Sequence, residues 1–240
     1  MSNYCLIPVP IADLKTLLGP TFISTFQSEI DLIVEPLRKH VAKGRRLMLA
    51  KEIWECVVAD SIVGADWVGA GKSIDDVKIT EDISCDVKSV QINNKITSEA
   101  SMFQPLVSKK LVSDFFETKD SLGLWSTYVD GWFKKVSSIT EYYLLIIVRD
   151  KFTNSCSIGA FKVDKNVKLK YNISECKFNS KTMVIDSLAD SELLDIKIYD
   201  TKTRMEIKVK EKFYNDPNYC YQIYDFDQLG KATAKEEINE

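Results

Sequence analysis

The chain has little of what most metal-binding and nucleophilic motifs require. Among its 240 residues there is one histidine, His40, and no two of the six cysteines form a CxxC pair. Zinc fingers and histidine-based zinc hydrolase sites are therefore excluded, and no nucleophile motif accompanies His40. We expect the thiols to be reduced and mostly buried, as in a cytoplasmic protein. They are Cys5, Cys56, Cys85, Cys156, Cys176 and Cys220.

Long hydrophobic runs and low-complexity stretches are also missing. Nine glycines and six prolines exclude a collagen-like chain. Apolar runs such as Tyr142–Val148 fall short of the roughly 20 residues that span a bilayer. Met1–Asp13 lacks the basic and apolar regions of a signal peptide, so we expect a cytoplasmic protein without a membrane partner. The remaining composition, 45% hydrophobic and 28% charged with a net charge of −3, is that of one globular domain over residues 1–240.

Hydrophobic periodicity predicts an α/β fold. Residues 11–63 show helical spacing with a bend at Pro36, and the second helix of this region is expected from about Leu47 to Val63. Strands are predicted at Ile74–Ile79 and Ile83–Ile92, followed by helices over residues 104–136. The continuous apolar run Tyr142–Arg149 predicts a strand buried on both faces.

The C-terminal part is predicted to be rich in β-structure over residues 156–226. We interpret the chain as one nuclease-like unit, with a core at about residues 45–150 and this β-rich extension supplying recognition or dimer contacts. Short alternating segments predict strands there, and the polar tail Lys231–Glu240 is expected to fray. The segments are Ile158–Val163, Val167–Tyr171, Met183–Ile185, Leu194–Tyr199, Met205–Val209 and Tyr219–Phe226.

A glycine-rich segment, Gly69–Ser73, superficially resembles a phosphate-binding loop. That motif needs a further glycine five residues before Gly71, where this chain has Asp66. No apolar strand precedes the segment and no helix follows it, so a nucleotide-binding loop is not expected.

The triplet Asp86-Val87-Lys88 is a stronger candidate for a catalytic site. An acid and a lysine two residues apart on a strand project from the same face, where hard oxygen ligands can hold a divalent cation and the lysine can orient water. An acid two residues before a lysine occurs eight times in the chain, so context must decide. Ten residues earlier, Asp76 opens the preceding strand, and a hairpin would bring Asp76 beside Asp86.

At these positions the sequence resembles the PD-(D/E)xK nuclease superfamily, and type II restriction endonucleases in particular. The resemblance covers about residues 45–150 and rests on three segments. It implies a restriction-endonuclease-like core, in which helices flank a central mixed sheet, and Mg²⁺-dependent cleavage of DNA. The segments are Trp54–Ala59 on a helix, Ser73–Ile79 on one strand and Ile83–Ser89 on the next.

Carried over by position, the resemblance implies a role for each site residue. Asp76 and Asp86 would bind one or two metal ions, with the Val87 carbonyl as a further ligand. Lys88 would position the attacking water, and Glu55 would reach the metal through water.

Some of these assignments stay open. The first acid, Asp76, has two rivals in Asp75, which points to the other side of the strand, and Asp66. Glu52 is the rival of Glu55. No proline precedes Asp76, and the second acid is Asp rather than the commoner Glu.

A second hairpin carries acid, acid and lysine in the same order, at Asp195, Glu206 and Lys208. No helix and buried strand follow it, and the non-catalytic interpretation of this segment is a charged surface hairpin.

DNA binding needs cationic contacts to phosphate, and three stretches concentrate basic residues despite the net charge of −3. They are Arg38–Lys51, Lys162–Lys181 and Lys202–Lys212. Trp67, Trp125 and Trp132 are expected to be core residues rather than base-stacking groups.

Together these features predict a Mg²⁺-dependent type II restriction endonuclease that cleaves double-stranded DNA as a homodimer. The alternatives are a Holliday-junction resolvase or repair nuclease of the same superfamily, and a non-catalytic DNA-binding module.

Overall fold

A computed structural model describes residues 4–37, 49–68, 75–93, 96–97, 99–150, 155–172, 176–179 and 181–226. This part of the chain is a mixed α/β fold built on two sheets, which confirms the predicted fold class at that level. Several predictions lie outside the described residues. They concern His40, the Gly69–Ser73 segment, the Lys231–Glu240 tail and the basic stretch up to residue 48.

Within the described residues, the larger sheet has eight strands, some parallel and some antiparallel. Its main order is β1-β8-β7-β4-β3-β2, with β13 also paired to β8 and β5 also paired to β4. Strand β4 runs parallel to β7 and antiparallel to β3. The strands are β1 (Leu6–Pro8), β2 (Asp66–Trp67), β3 (Val77–Lys78), β4 (Ile83–Asn93), β5 (Ile96–Thr97), β7 (Glu141–Asp150), β8 (Ser155–Val163) and β13 (Cys220–Asp225).

The smaller sheet, as far as the chain is described, has five strands, all antiparallel, in the order β6-β12-β11-β10-β9. Its strand β6 follows β5 in the chain, so the region after β4 links the two sheets. The strands are β6 (Glu99–Phe103), β9 (Cys176–Phe178), β10 (Thr182–Ile185), β11 (Leu194–Tyr199) and β12 (Met205–Val209).

Helices cover both faces of the larger sheet. Phe22, Phe26, Ile30 and Val34 recur at helical spacing along α2 and are all buried. The helices are α1 (Ile11–Leu18), α2 (Phe22–Val34), α3 (Lys51–Ser61), α4 (Lys109–Glu117), α5 (Ser121–Trp125), α6 (Gly131–Val136) and α7 (Glu211–Tyr214), with a 3-10 turn at Glu35–Leu37 and a π-helical turn at Ser126–Asp130.

The apolar run on β7 explains how the core divides. Leu145 and Ile147 face the cluster formed with α1, α2 and α3, whereas Leu144 and Ile146 face the cluster formed with α4 to α6 and the smaller sheet. Because successive side chains of a strand alternate in direction, a strand covered on both faces must be apolar throughout. The predicted buried strand at Tyr142–Arg149 is confirmed.

The region predicted as a β-rich extension contributes to both sheets. Strands β8 and β13 belong to the larger sheet, while β9 to β12 form the smaller sheet together with β6. The predicted strand at Val167–Tyr171 is wrong, because that segment is irregular. Its alternation has another cause: Leu169 and Tyr171 pack partly buried against the core without a partner strand.

Other boundaries and one core assignment also differ from expectation. The strand expected from Ile74 pairs only over Val77–Lys78 among the described residues. Of the three tryptophans expected in the core, Trp125 and Trp132 are buried, but Trp67 is 46% exposed because it lies on the outermost strand, β2. The prediction for Trp67 was therefore wrong.

Candidate functional site

Asp76 and Asp86 face each other across β3 and β4. Val77 pairs with Cys85 in the antiparallel register, and extending that register by one residue places Asp76 opposite Asp86. The Asp76 N–H donates to the Cys85 carbonyl at 2.9 Å, which is one residue out of step with that register, and Lys88 Nζ contacts the side chains of both acids. The hairpin expected from the sequence therefore forms and brings the two acids together.

Asp76 lies immediately before the first residue of β3, and its side chain reaches across to β4. Its Oδ2 accepts a hydrogen bond from the Val87 N–H at 2.8 Å. Because the N–H and C=O of one strand residue project from the same edge of the strand, the Val87 carbonyl also lies on the Asp76 side of β4. Two carboxylates and one carbonyl thus lie close together, and all three are hard oxygen donors.

Lys88 lies two residues after Asp86 and projects from the same face of β4. Its Nζ forms an ion pair with the Asp86 carboxylate and lies 3.4 Å from Asp76 Oδ2. Asp86 and Lys88 are 2% and 6% exposed. Buried charges are tolerated when they are paired, so this lysine is what keeps two neighbouring carboxylates compatible with burial.

Glu55 approaches from α3 and is 1% exposed. Its Oε1 is fully buried and, within the described part of the chain, receives no hydrogen bond of normal geometry. The Lys51 ammonium nevertheless lies 2.6 Å from this oxygen and 3.7 Å from Asp76 Oδ1. Lys51 therefore links the helix acid to the strand acid.

Lys51 closes one of the basic stretches, but no site role was predicted for it from the sequence. The available signal was its position four residues before Glu55 on a predicted helix, which places both side chains on one face. The structure thus adds a second lysine to the site.

The electrostatics differ between the two aspartates. Burial raises the pKa of Asp86 well above the usual range of an aspartate, and the neighbouring Lys88 opposes this effect. Burial also pushes the pKa of Asp76 upward, but a hydrogen bond with Asp86 and the charges of Lys88 and Lys51 outweigh it, so this pKa is lowered. Burial similarly raises the pKa of Tyr142, with Asp86 as the next contributor.

The rival positions lie elsewhere. Asp66 is exposed on β2, in register with Lys78, two pairs away from the Asp76 position. Glu52 is exposed and lines a groove with residues of α2 such as Glu29 and Ile33. Asp75 is half-buried and precedes Asp76, so along an extended backbone its side chain leaves from the opposite side. The structure brings together Glu55, Asp76, Asp86 and Lys88.

The second acid-acid-lysine pattern is arranged differently. Asp195 lies opposite Lys208, and Glu206 lies opposite Lys197, so the two acids occupy different rows of the smaller sheet. Each acid also has its own nearby lysine: Lys210 lies 2.6 Å from Asp195 Oδ2, and Lys202 lies 2.7 Å from Glu206 Oε2. This is an alternating set of ion pairs rather than two converging carboxylates.

The donor set for a metal ion is small. Within the described residues, no group of three or more histidine, cysteine, aspartate or glutamate side chains is arranged to hold a metal ion. The donors that fit a hard cation are therefore the carboxylates of Asp76 and Asp86 with the Val87 carbonyl, and Glu55 contributes a buried, poorly satisfied oxygen nearby.

The six thiols are all free, and Cys5, Cys85, Cys156 and Cys220 are buried, as expected from their spacing. The helices in the described ranges are too short or too polar to cross a bilayer.

Comparison with known proteins gives one partial similarity. The chain is 32% identical over 120 residues to the RecBCD enzyme subunit RecD of Buchnera aphidicola subsp. Acyrthosiphon pisum (strain APS). The similar stretch covers 45% of this chain and 19% of the relative, so the chain spans about a fifth of that protein's length. No family model matches the chain, and no solved structure matches it.

Proposed function

We propose that the protein is a Mg²⁺-dependent endonuclease that hydrolyses phosphodiester bonds in DNA. The observation that carries the proposal is the pair Asp76 and Asp86, opposed across two strands with the buried Lys88 ammonium 3.4 Å from Asp76 Oδ2. Structural ion pairs are normally exposed, whereas this group of charges is buried and incompletely compensated, which is typical of functional sites.

The order of elements supports the same proposal. Helix α3 is followed by the antiparallel strands β2, β3 and β4. After β5 and β6 come helices α4 to α6, and then β7 parallel to β4. This arrangement agrees with the mixed sheet and flanking helices that the resemblance to PD-(D/E)xK nucleases implies. A restriction-endonuclease-like core is accordingly part of the proposal.

Each residue then has a chemical task. Asp76, Asp86 and the Val87 carbonyl would hold Mg²⁺, which when bound polarises a phosphate and makes bound water more acidic. Lys88 Nζ, fixed between the two carboxylates, is placed to donate a hydrogen bond to the scissile phosphate or to the oxygen of the attacking water. The Glu55 carboxylate can accept a hydrogen bond from a water molecule held at the metal. Lys51 supplies a further positive charge for the phosphate.

The substrate follows from two further features. The similarity to a subunit of the RecBCD enzyme supports a role in DNA processing, and the basic stretches supply cations for the phosphate backbone. Within this function, a type II restriction enzyme that acts as a homodimer on double-stranded DNA is our first proposal. A Holliday-junction resolvase or repair nuclease is the alternative.

The test is plasmid cleavage with Mg²⁺ or Mn²⁺, followed by mapping of the DNA ends. We expect the wild type to nick or linearise the plasmid and Lys88→Ala to reduce the rate by at least about 100-fold, because the lysine contacts reacting groups. Lys208→Ala is the matched control, since it removes a lysine from the other acid-acid-lysine pattern, and it should cleave like the wild type.

Two outcomes would count against the proposal. A wild-type protein that binds DNA but never cuts it under any of these conditions would be a non-catalytic DNA-binding module. Full activity in Lys88→Ala together with loss of activity in Lys208→Ala would place the site on the smaller sheet.

A further inference from the structure

The two carboxylate oxygens of Asp76 lie beside two different ammonium groups. Oδ2 accepts a hydrogen bond from the Val87 N–H at 2.8 Å and lies 3.4 Å from Lys88 Nζ. Oδ1 lies 3.7 Å from Lys51 Nζ. One carboxylate therefore lies between two positive charges. Sites that hold two divalent ions place them about 3.5–4 Å apart, so a carboxylate in this arrangement offers two positions for a cation.

The two cation positions differ in their donors. At the Oδ2 position, between Asp76 and Asp86, a divalent ion gains two carboxylates and the Val87 carbonyl, all hard oxygen donors. At the Oδ1 position, between Asp76 and Glu55, the further oxygen is the buried Glu55 Oε1, and Lys51 Nζ lies 2.6 Å from it. The ammonium thus already contacts both oxygens that a second ion would need.

The Oδ1 position favours this ammonium over a metal ion. Lys51 lies four residues before Glu55 on the same face of α3, so the charge stays attached to the helix beside the carboxylate. Mg²⁺ demands six ligands in octahedral geometry and usually keeps several waters, whereas Glu55 is 1% exposed. An ammonium supplies positive charge there without such a shell.

We propose that Lys51 Nζ occupies the position of a second divalent ion, so that the site holds one Mg²⁺ per chain. The inference rests on the proposed nuclease function and deepens it by fixing the number of ions. Mg²⁺ binds at the Oδ2 position, and Lys51 neutralises the scissile phosphate from the Oδ1 position.

The charge of the site agrees with one ion. With Glu55, Asp76 and Asp86 ionised and Lys51 and Lys88 protonated, the formal charge of the group is −1. One Mg²⁺ and one phosphodiester group bring the total to zero, whereas a second Mg²⁺ would leave +2. Uncompensated charge is costly where the surrounding side chains are largely buried, as they are here.

Counting the bound ions tests the inference without reference to cleavage. Mn²⁺ is the probe, because it binds to the same carboxylate and carbonyl ligands as Mg²⁺ and its free ion gives an electron paramagnetic resonance signal. We would titrate Mn²⁺ into the full chain until the number of bound ions per chain stops rising. Circular dichroism checks that each variant is folded.

The wild type should bind one ion per chain and Lys51→Met two, because methionine removes the ammonium and leaves Glu55 Oε1 free. Lys51→Met/Glu55→Gln should bind one again, since the Oδ1 position then lacks its second carboxylate. Lys51→Arg keeps the positive charge and should also bind one. At low Mg²⁺ concentration, the cleavage rate should be first order in Mg²⁺ for the wild type and second order for Lys51→Met.

Lys202→Met is the matched control. Lys202 Nζ lies 2.7 Å from Glu206 Oε2 and 3.9 Å from Glu99 Oε2, so this lysine also lies between a buried glutamate and a second carboxylate. Lys197 Nζ, 3.8 Å from Glu99 Oε1, stays in place after the substitution. We therefore expect one bound ion, as in the wild type.

Several results would overturn the inference, and they differ from those that would overturn the proposed function. If the wild type binds two ions and cuts DNA, the nuclease proposal stands and Lys51 replaces no ion. The inference also fails if Lys51→Met binds one ion, or if Lys202→Met gains an ion as Lys51→Met does. If the wild type binds no ion and cuts no DNA, the proposed function fails and the inference fails with it.

Discussion

Lys51 and Glu55 form an ion pair one helical turn apart on α3, with Lys51 Nζ 2.6 Å from the buried Oε1 of Glu55. The lysine side chain is 49% exposed and the glutamate side chain 1% exposed, so the pair joins a solvated cation to a carboxylate in the interior. The buried carboxylate is held away from water, and Lys51 is the cation that lies beside it.

Replacing Lys51 with methionine should therefore destabilise the metal-free protein. We expect a loss of about 1–2 kcal/mol in the free energy of unfolding, less than for a fully buried pair because Lys51 is half solvated. Urea unfolding at neutral pH in EDTA measures the change. The double variant Lys51→Met/Glu55→Gln should recover most of it, because it leaves no unpaired buried charge.

Lys110→Met on the exposed face of α4 is the control and should change the free energy of unfolding by less than about 0.5 kcal/mol. If Glu55→Gln did not rescue Lys51→Met, the stability effect would come from the lost packing of the lysine stem rather than from its charge.

A second prediction concerns Mg²⁺. Binding to the folded state alone should raise the melting temperature, by the equivalent of about 2.7 kcal/mol at a hundred times the dissociation constant. Asp76→Asn should abolish this shift, since it removes one of the two opposed carboxylates. Differential scanning fluorimetry with and without Mg²⁺ measures it.

Asp195→Asn is the matched control, because Asp195 is also a partly buried acid on a strand with a lysine neighbour. It should retain the Mg²⁺ shift. Loss of the shift in Asp195→Asn and its retention in Asp76→Asn would show that the cation binds to the smaller sheet.

The site illustrates what local sequence patterns contain. The turn at residues 79–82 joins β3 to β4 and folds one strand back on the other, so the proximity of Asp76 and Asp86 could be predicted from their spacing. The same reasoning could not decide whether the hairpin at Asp195 and Glu206 was an equally good candidate for the metal site. The decisive difference there is the register, which places each acid opposite a lysine instead of opposite the other acid.

Long-range pairing could not be predicted in the same way. Strand β1 lies beside β8 at the opposite end of the sheet from β2, and β6 joins strands that follow it by more than 70 residues. Neither contact is set by a turn or a short loop. The exposure of Trp67 belongs to the same class, because it depends on β2 being the last strand of the sheet.

A third prediction tests how closely β8 is packed. A Cβ added to Gly159 would lie 2.6 Å from Phe213 Cζ and 2.6 Å from the Tyr219 carbonyl oxygen. The carbonyl belongs to the backbone and cannot rotate away. Gly159→Ala should therefore lower the free energy of unfolding by about 1–3 kcal/mol, the usual range for overpacking. Chemical denaturation measures the loss.

Gly131→Ala is the matched control for this variant. Its nearest atom would be Phe103 Cε1 at 3.4 Å, and Gly131 lies at the first position of α6, where alanine is a better helix former. We expect no loss of stability. Equal destabilisation by both substitutions would contradict the assigned close contact at β8.

The last prediction concerns pH and Glu141, a carboxylate that is not among the proposed metal ligands. Glu141 Oε2 accepts hydrogen bonds from Lys162 Nζ at 2.7 Å and from the Tyr143 hydroxyl at 2.8 Å. These two donors, Lys162 first, hold the pKa of Glu141 below its usual value. A lowered pKa in the folded state means that the unfolded chain binds the proton first as the pH falls.

The stabilisation by Glu141 is therefore complete at neutral pH and disappears as the pH falls through the ordinary glutamate range towards the lowered pKa. Glu141→Gln should lower the free energy of unfolding by less than about 1 kcal/mol at pH 7, because the ion pair of Glu141 with Lys162 is partly solvated. The difference from wild type should shrink below about pH 4. Urea unfolding across this range measures it, with the exposed Glu81→Gln as control. A difference that grew on acidification would mean that Glu141 is not stabilised as a carboxylate.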